Sequence, residues 1–291
     1  AQLRAVVEQE ILEAAPTTTW ADVVGAAAAK QALQEMIVLP QSRPDLFQGL
    51  RAPARGLLLY GPPGNGKTML ARAAAAEAGC TFFSISASTL TSKWVGEGEK
   101  LVRALFAVAR ERQPALIFID EIDSVLSARS GGEHEASRRL KTEFLVQFDG
   151  VTSGAGDERV MVLGATNRPQ DLDDAVLRRL VKRIYIGLPG AAERCALLEK
   201  LFAGQRLNLS RNGWQHVAML TEGYSASDLR AVAREAAMAP LRELGPKIQS
   251  VHPEQVRGVE ARDFSAALAA IRPSVSPEHH AELAKWAAGK P

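Results

Sequence analysis

The sequence predicts an α/β fold in which a parallel sheet is flanked by helices and is followed by a small helical-bundle domain. Three observations lead to this prediction. Short, almost continuously apolar segments alternate with helical patterns as far as residue 189, which is typical of a parallel sheet covered on both faces. Beyond that point only helical patterns follow, and a glycine-rich segment separates the first central strand from the next helix.

The first half of the chain alternates between helices and strands. Residues 2–13 and 26–39 place apolar side chains at helical spacing, and Pro16 and Pro40 are expected to end these two helices. Further helices are predicted over residues 69–78, 97–112 and 136–148. Short apolar runs predict strands over residues 56–60, 81–85, 115–119, 160–165 and 183–186.

The second half of the chain is helical in pattern. Helices are predicted over residues 191–203, 211–220, 226–239, 262–270 and 278–288. Residues 244–259 contain two prolines and two glycines and are predicted to be a loop. The expected domains are an N-terminal helix and linker, a large α/β domain, a small helical domain and a C-terminal segment with a helix, over residues 1–20, 21–189, 190–272 and 273–291.

Composition and charge exclude several classes of protein. Of the 291 residues, 46% are apolar and 23% are charged, as in globular proteins, and a net charge of +2 does not by itself indicate a nucleic-acid partner. Cys80 and Cys195 are too few for a disulfide framework or a zinc site, so a reducing compartment is expected. No apolar run approaches the ~18 residues of a membrane span. A start without Met or a signal peptide predicts a piece of a longer protein.

The strongest chemical signal is a complete P-loop pattern, consisting of Gly61, Pro62, Pro63, Gly64, Asn65, Gly66, Lys67 and Thr68. It follows a predicted strand and precedes a predicted helix, as phosphate binding requires. Glycines allow backbone N–H groups to surround phosphate oxygens, and the N-terminus of the helix adds partial positive charge. We therefore expect Lys67 to contact the β- and γ-phosphates of ATP and Thr68 to offer its hydroxyl to Mg²⁺.

A second signal is a pair of carboxylates at the end of the strand predicted over residues 115–119. Asp120 and Glu121 follow this strand directly, at the edge of the sheet where ligands of open α/β folds bind. Asp120 is expected to hold Mg²⁺, and Glu121 to polarise the water that attacks the γ-phosphate. A solvated acidic strand end is the alternative, which the P-loop upstream makes much weaker.

Polar residues after the next predicted strand are open to two interpretations. Asn167 could orient the same water, or it could be only a turn residue before Arg168 and Pro169. Arg178 and Arg179 could be a solvated surface, or they could enter the site of a neighbouring subunit in a ring and stabilise charge in the transition state.

Together these motifs resemble an AAA ATPase, a P-loop NTPase with a small helical domain, over nearly the whole chain. The resemblance implies that Asp22, Val23 and Val24 lie over the adenine, and that Ala226 and Ser227 close on the nucleotide from the small domain. Two positions depart from the family pattern. Ala226 stands where Gly is frequent, and Leu180 stands where Phe usually follows the two arginines. These departures concern the fine geometry of the site.

A finer resemblance is to the microtubule-severing members of the meiotic clade of AAA ATPases. It is carried by four segments of the chain, residues 51–59, 98–110, 133–144 and 272–277. Trp94 departs from this pattern, because those proteins usually carry Tyr there. A Trp at this position is typical of the ATPases that disassemble ESCRT-III filaments.

The resemblance also implies which residues touch a substrate. Lys93, Trp94 and Val95 would form the pore loop that grips a threaded polypeptide, and Arg129 and His134 would belong to a second pore loop. Positive charge around such a pore suits an acidic, flexible peptide such as the C-terminal tail of tubulin. The alternatives are that Trp94 is a core residue and that Arg129, Arg138 and Arg139 are surface charges.

The sequence thus predicts an ATP hydrolase of the microtubule-severing, isomerase class. It would bind ATP and Mg²⁺, form a homo-hexamer with ATP, pull tubulin tails through its pore, and work in the cytoplasm on the cytoskeleton. No nucleic-acid partner is expected, and membrane contact is expected only through regions outside this chain. A second hypothesis replaces tubulin by ESCRT-III tails. A third, a nucleotide-dependent scaffold without turnover, is disfavoured because Glu121 and both arginines are present.

Overall fold

The computed structural model describes residues 2–13, 16–86, 89–90, 97–127, 135–153 and 158–289. The chain forms two compact units. The first comprises Ala1–Gly61, Gly66–Ile186 and Lys285–Pro291, and the second comprises Pro62–Asn65 and Gly187–Ala284. Four residues of the P-loop, Gly61 and 66–68, therefore belong to the first unit, whereas the other four, Pro62–Asn65, belong to the second.

A six-stranded sheet forms the centre of the first unit. Its strands are β1 (Leu12–Glu13), β2 (Gly56–Tyr60), β3 (Thr81–Ser86), β4 (Ala115–Asp120), β5 (Val160–Thr166) and β6 (Lys182–Tyr185). They are arranged in the order β1-β3-β4-β5-β2-β6. All neighbours are parallel except β1, which pairs antiparallel with β3. The sequence therefore predicted five of the strands and missed β1, at one edge of the sheet.

Both faces of this sheet are covered, as the continuous apolar runs predict. On β2, Leu58 faces one core cluster, while Leu57 and Leu59 face the other. Strand β4 alternates in the same way, with Ile117 on one side and Phe118 on the other. This two-sided burial places the polar residues of the strands at their carboxyl ends.

The helices described in the first unit comprise five that begin within two residues of a predicted start and three for which no start was predicted. They are α1 (Gln2–Val6), α2 (Ala27–Leu33), α3 (Leu39–Ser42), α4 (Lys67–Glu77), α5 (Gly98–Glu111), α6 (Asp123–Leu126), α7 (Glu135–Ser153) and α8 (Asp174–Arg179). π-helical turns over Val7–Ile11 and Gln34–Val38 follow α1 and α2.

Three predicted helix ends of the first unit are wrong. Helix α7 continues five residues past its predicted end, to Ser153. Residues 12–13 leave the predicted helix and form β1, because Leu12 and Glu13 pair with the edge of β3. Pro40 does not end the second helix, which continues to Ser42. Pro40 lies in the first turn of α3, where a missing N–H costs little.

The second unit is helical, in agreement with the sequence pattern. Its helices are α9 (Ala191–Leu201), α10 (Arg211–Leu220), α11 (Ala226–Leu244), α12 (Ala261–Ala270) and most of α13 (Pro277–Ala287). The core shared by α9, α10, α11 and α12 contains Phe202, Trp214 and Phe264, whose ring centroids lie 5.4–5.9 Å apart. Helix α11 runs past its predicted end and includes Pro240. Among the described residues, no helix is long and apolar enough to cross a bilayer.

Candidate active site

The P-loop enters α4 through a glycine with left-handed backbone. Gly66 is the N-cap residue of α4 with φ 79°, a conformation that costs glycine little. A side chain at Gly61 would also clash, because a Cβ there would lie 2.1 Å from the carbonyl oxygen of Ile186. No side chain caps the N-terminus of α4, and its first turn contains no acidic residue. This local structure is compatible with phosphate binding by the loop, which stays a prediction.

Lys67 is the first residue of α4 and is 7% exposed. Its Nζ donates hydrogen bonds to the carbonyl oxygen of Gly61 at 2.9 Å and to Oδ1 of Asn167 at 2.6 Å. Burial lowers the pKa of the Lys67 ammonium to about 8, although Asp120 and Asp123 act in the opposite direction. Incoming phosphate oxygens would therefore stabilise a charge that the protein itself stabilises only in part.

Thr68, in the first turn of α4, meets Asp120 at the end of β4. The Thr68 hydroxyl donates a 2.8 Å hydrogen bond to Oδ2 of Asp120. A hydroxyl and a carboxylate side by side are oxygen donors of the kind that Mg²⁺ binds beside nucleotide phosphates. Within the described ranges, no group of three or more His, Cys, Asp or Glu residues is gathered as a metal cage. The pair therefore fits a cation that takes its other ligands from phosphate and water.

Glu121 is held in an unusual backbone conformation. Its φ is 51°, and for a residue other than glycine a left-handed conformation costs about 1–2 kcal/mol. Its N–H donates to Oδ1 of Asp120 at 3.0 Å, and its side chain is exposed. Strain of this kind is found where the surrounding structure fixes a residue for function. The sequence pattern identified Glu121 but gave no sign of this conformation.

Asn167 follows β5 and reaches the P-loop lysine, so it is more than a residue in a turn. Next to it, the Thr166 hydroxyl donates to Oδ1 of Asp123 at 2.5 Å and accepts from the N–H of Arg168 at 2.8 Å. The sequence reasoning missed Thr166 and Asp123. Their signal was present, because both lie within three residues of a predicted site residue, at the ends of adjacent strands.

In the second unit, the start of α11 contacts the tip of the P-loop. The N–H of Ala226 donates to Oδ1 of Asn65 at 3.1 Å, and that of Ser227 donates to the carbonyl oxygen of Gly64 at 3.0 Å. A Cβ at Gly64 would lie 2.9 Å from Ser227, so glycine is needed for this approach. Ala226 uses only its backbone here, and its replacement of the usual Gly leaves this contact intact.

The segment predicted to cover the adenine lies in the first unit. Asp22 accepts hydrogen bonds from the backbone and hydroxyl of Thr19, both at 2.9 Å. Val23 is 9% exposed and packs with the core cluster that contains α4, whereas Val24 is half-buried. The Nζ of Lys30 donates to the carbonyl oxygen of Val23. These contacts hold the segment in place, and the role of Asp22, Val23 and Val24 toward a base stays a prediction.

The two candidate arginines have different surroundings. Arg179 makes a two-pronged ion pair with Asp149, at 2.6 and 2.5 Å, and the guanidinium lowers the pKa of that carboxyl. Arg178 is exposed, and its Nε donates at 3.3 Å to the carbonyl oxygen of Asp174 on its own helix. Arg178 is therefore the better placed of the two to reach another subunit. Lys93, Trp94, Val95, Arg129 and His134, predicted for the pore, lie outside the described residues.

Comparisons with known proteins agree with this fold. Residues 57–188 match the ATPase family associated with various cellular activities (AAA), and residues 214–255 match the AAA+ lid domain. The crystal structure of the FIGL-1 AAA domain is 49% identical, with a TM-score of 0.91, over 99% of this chain and 95% of that chain. A second structure shows that domain in complex with ADP. The chain belongs to the AAA family of ATPases, and the predicted fold class is confirmed.

Within this family, the chain is similar to spastins. It is 57% identical to the spastins of Xenopus tropicalis and Danio rerio and 56% identical to that of Homo sapiens, over 97%, 98% and 97% of its length. It spans about half of these relatives, 47%, 50% and 46% of their lengths. A structure titled for katanin self-assembly is 38% identical, with a TM-score of 0.81, over 98% of this chain and 96% of that chain.

Proposed function

We propose that this chain binds Mg²⁺–ATP at the P-loop and hydrolyses it. The observation that carries the proposal is the meeting of Lys67 with Asn167 and of Thr68 with Asp120. These contacts join the start of α4 to the carboxyl ends of β4 and β5. Phosphoryl transfer depends chiefly on positioning and electrostatic stabilisation, which such a rigid cluster provides.

Each residue of the cluster has a role that follows from its chemistry. Lys67 would exchange its bonds to Gly61 and Asn167 for phosphate oxygens, which stabilise its charged form. Thr68 and Asp120 would hold Mg²⁺, which offsets the negative charge of the phosphates. Glu121, exposed at the end of β4, would accept the proton of the attacking water, and Asn167 would orient that water.

We further propose that the active form is a ring, a homo-hexamer formed with ATP. The exposure of Arg178 supports this assembly, because an arginine that acts on a neighbour's ATP must be accessible in the isolated subunit. The name of one similar structure, which refers to katanin self-assembly, also supports it. Arg179 would have to leave Asp149 to act in the same way.

The proposed substrate is the microtubule, gripped through the acidic C-terminal tails of tubulin, and the proposed place of action is the cytoskeleton. This part rests on the similarity to spastins and on the expected pore residues Lys93, Trp94, Val95, Arg129 and His134. A second candidate is the tail of an ESCRT-III protein, and Trp94 is the one observation that favours it. The severing, isomerase-type reaction thus stands as our proposal.

Imaging of fluorescent microtubules with ATP and the full-length protein tests the substrate. We expect severing of intact microtubules, and much slower severing after proteolytic removal of the tubulin tails. The variant Trp94→Tyr should retain severing because both rings are flat and apolar with a polar edge, whereas Trp94→Ala should lose severing and keep basal ATPase. Stimulation of ATPase by ESCRT-III tail peptides, with no severing, would instead establish the second candidate. A loss of melting temperature and of ATPase in Trp94→Ala would show that Trp94 is a core residue.

A further inference from the structure

Two hydrogen bonds connect the end of β5 with the turn that follows β4. The N–H of Ile122 donates to the carbonyl oxygen of Ala165 at 3.0 Å. One residue further along each segment, the Thr166 hydroxyl donates to Oδ1 of Asp123 at 2.5 Å. The turn and the strand end are therefore held side by side by one backbone bond and one side-chain bond.

The Thr166 hydroxyl both donates and accepts a hydrogen bond. Thr166 is 1% exposed, and the same oxygen that donates to Asp123 accepts the N–H of Arg168 at 2.8 Å. The bond from Arg168 closes a short loop around Asn167. A buried hydroxyl with one donor and one acceptor bond has a fixed orientation, so it fixes the direction in which the backbone carries Asn167.

The turn after β4 contains Glu121. Its left-handed backbone, φ 51°, persists only if the residues on both sides are held. On one side Asp120 accepts the N–H of Glu121 and the hydroxyl of Thr68. On the other side Ile122 lies on Gly164, where a Cβ would come within 2.8 Å of its Cδ1, and Asp123 is held by Thr166.

From this geometry we propose that Thr166 and Asp123 are positioning residues for ATP hydrolysis. Their hydrogen bond fixes the position of Glu121 relative to Asn167. Glu121 is the proposed base that activates the water, and Asn167 is the residue proposed to orient it. The inference rests on the proposed ATPase function. It deepens that function, because displacements of about 1 Å at reacting groups can reduce rates about a hundredfold.

The first test is the variant Thr166→Val, which removes the hydroxyl and keeps the shape. We expect kcat to fall at least tenfold while KM for ATP changes less than threefold, because Lys67 and Thr68 are unaltered. The variant Thr166→Ser should restore most of kcat. Activity is measured at protein concentrations high enough that the specific activity no longer rises with concentration. Assembly of subunits then does not limit the measured rate.

A matched control is Thr221→Val in the second unit. Thr221, the C-cap residue of α10, is also fully buried. Its hydroxyl donates to the carbonyl oxygens of Val217 and Ala218 in the last turn of that helix. This variant removes a buried hydroxyl far along the chain from the strand ends. It should lower the melting temperature as much as Thr166→Val and leave kcat within twofold of the parent.

A double-mutant cycle in kcat identifies the bond itself. Asp123→Ala should lose about as much kcat as Thr166→Val, and the double variant should lose no more than either, because one shared bond is removed in all three. Asp123→Asn keeps an oxygen acceptor and should stay within threefold of the parent. If Thr166→Val fails to fold, the comparison of Asp123→Asn with Asp123→Ala decides the question, and equal losses overturn the proposal.

Two other results would also overturn it. A kcat in Thr166→Val within twofold of the parent would show that the hydroxyl positions nothing, and strictly multiplicative losses in the cycle would show that the two residues act separately. Failure of the ATPase proposal is recognised independently, since the parent chain would then show no turnover that Glu121→Gln abolishes.

Discussion

The helices α4 and α11 begin in opposite ways. Helix α4 starts after Gly66 without a side-chain cap and without an acidic residue in its first turn. Helix α11 starts with a reciprocal pair, in which the Ser225 hydroxyl accepts from the N–H of Asp228 at 3.2 Å and Asp228 accepts from the N–H of Ser225 at 2.9 Å. One helix start has no side-chain cap, as is typical of helix starts that bind anions, and the other is capped by its own side chains.

Other helices of the second unit are closed in the same manner. Glu193 and Asp263 accept the N–H groups of their N-cap residues at 2.9 and 2.8 Å, and the Ser210 hydroxyl caps α10. The first unit instead has a buried lysine at the start of α4 and a strained Glu121 directly after β4. We therefore expect substitutions at the start of α4 and directly after β4 to lower the rate of turnover. Substitutions at the helix caps of the second unit should instead lower the stability of the fold.

The largest effect is expected for Glu121→Gln, which keeps the size of the side chain and its strained backbone but removes the base. Turnover should fall by about 10²–10⁴. Affinity for ATP and melting temperature should stay close to those of the parent, because Lys67, Thr68 and Asp120 are intact. Steady-state ATPase and nucleotide titrations measure these quantities.

The control for this variant is Glu77→Gln, at the exposed C-terminal end of α4. It should match the parent in every assay. If Glu121→Gln hydrolyses ATP at nearly the parental rate, Glu121 is not the base, and the strain at φ 51° has no catalytic explanation.

Asp228→Ala should show the opposite pattern. Burial alone would raise the pKa of Asp228, but hydrogen bonds from Ser225 and Ser274 outweigh it and hold this pKa below its usual value. The variant loses the N–H of Ser225 and both bonds from Ser274, at 3.2 and 3.1 Å. We expect about 2 kcal/mol less stability in urea denaturation. Ser210→Ala, at a more exposed cap, should cost about 0.5–1 kcal/mol. Equal losses would show that the Ser274 bonds add nothing.

Arg178 and Arg179 allow the comparison within a single helix. Arg179→Ala breaks the partly exposed pair with Asp149 and should cost about 0.5–1 kcal/mol of stability. Arg178→Ala should leave stability within about 0.5 kcal/mol, since surface substitutions are usually that mild. Its ATPase should fall at least tenfold in the assembled ring, although the isolated subunit binds nucleotide normally.

Mixing experiments show whether Arg178 acts on a neighbour. Rings that combine Arg178→Ala subunits with Glu121→Gln subunits contain some sites with an intact arginine and an intact glutamate. ATPase should therefore recover in part at intermediate ratios. Confirmed mixed rings without any recovery would argue that Arg178 acts only within its own subunit.

Local sequence signals predicted most of the fold and the core of the site. The P-loop pattern and the apolar run before Asp120 each contain their own evidence, because phosphate binding and strand burial require particular residues at fixed spacing. One error, the missed strand β1, came from a long-range contact. Leu12 and Glu13 continue a helical pattern and become strand only because the edge of β3 is open to them.

The same reason explains what was missed at the site. The hydrogen bond from Thr166 to Asp123 connects the end of β5 with the segment after β4. Threonine at a strand end and aspartate at a helix start are ordinary residues, so neither residue type by itself indicates this bond. The ion pair of Arg179 with Asp149 likewise depends on how α7 and α8 pack. This pair is what makes the surroundings of Arg179 different from those of Arg178. The cap of α11 is different, because Ser225 three residues before Asp228 is a pattern that the sequence does show.

The smallest expected effect is a fraction of a proton taken up at Lys67. Burial lowers the pKa of this ammonium to about 8, so roughly half of the free chains carry a neutral Lys67 at pH 8. Phosphate oxygens favour the charged form and raise the pKa in the complex. Binding of ADP at pH 8 should therefore take up about half a proton, and affinity should fall by up to about tenfold from pH 7 to pH 9.

Calorimetry in two buffers with different ionisation enthalpies, HEPES and Tris, measures this uptake directly. At pH 7 only about a tenth of a proton should be taken up at Lys67, because the free ammonium is already charged. Lys67→Arg provides the matched control, since a guanidinium stays protonated throughout and should show no uptake at pH 8. If the parent also shows none, the start of α4 holds its lysine fully charged before the anion arrives. The start of α4 would then differ from the capped helix starts of the second unit in its geometry but not in the protonation state of Lys67.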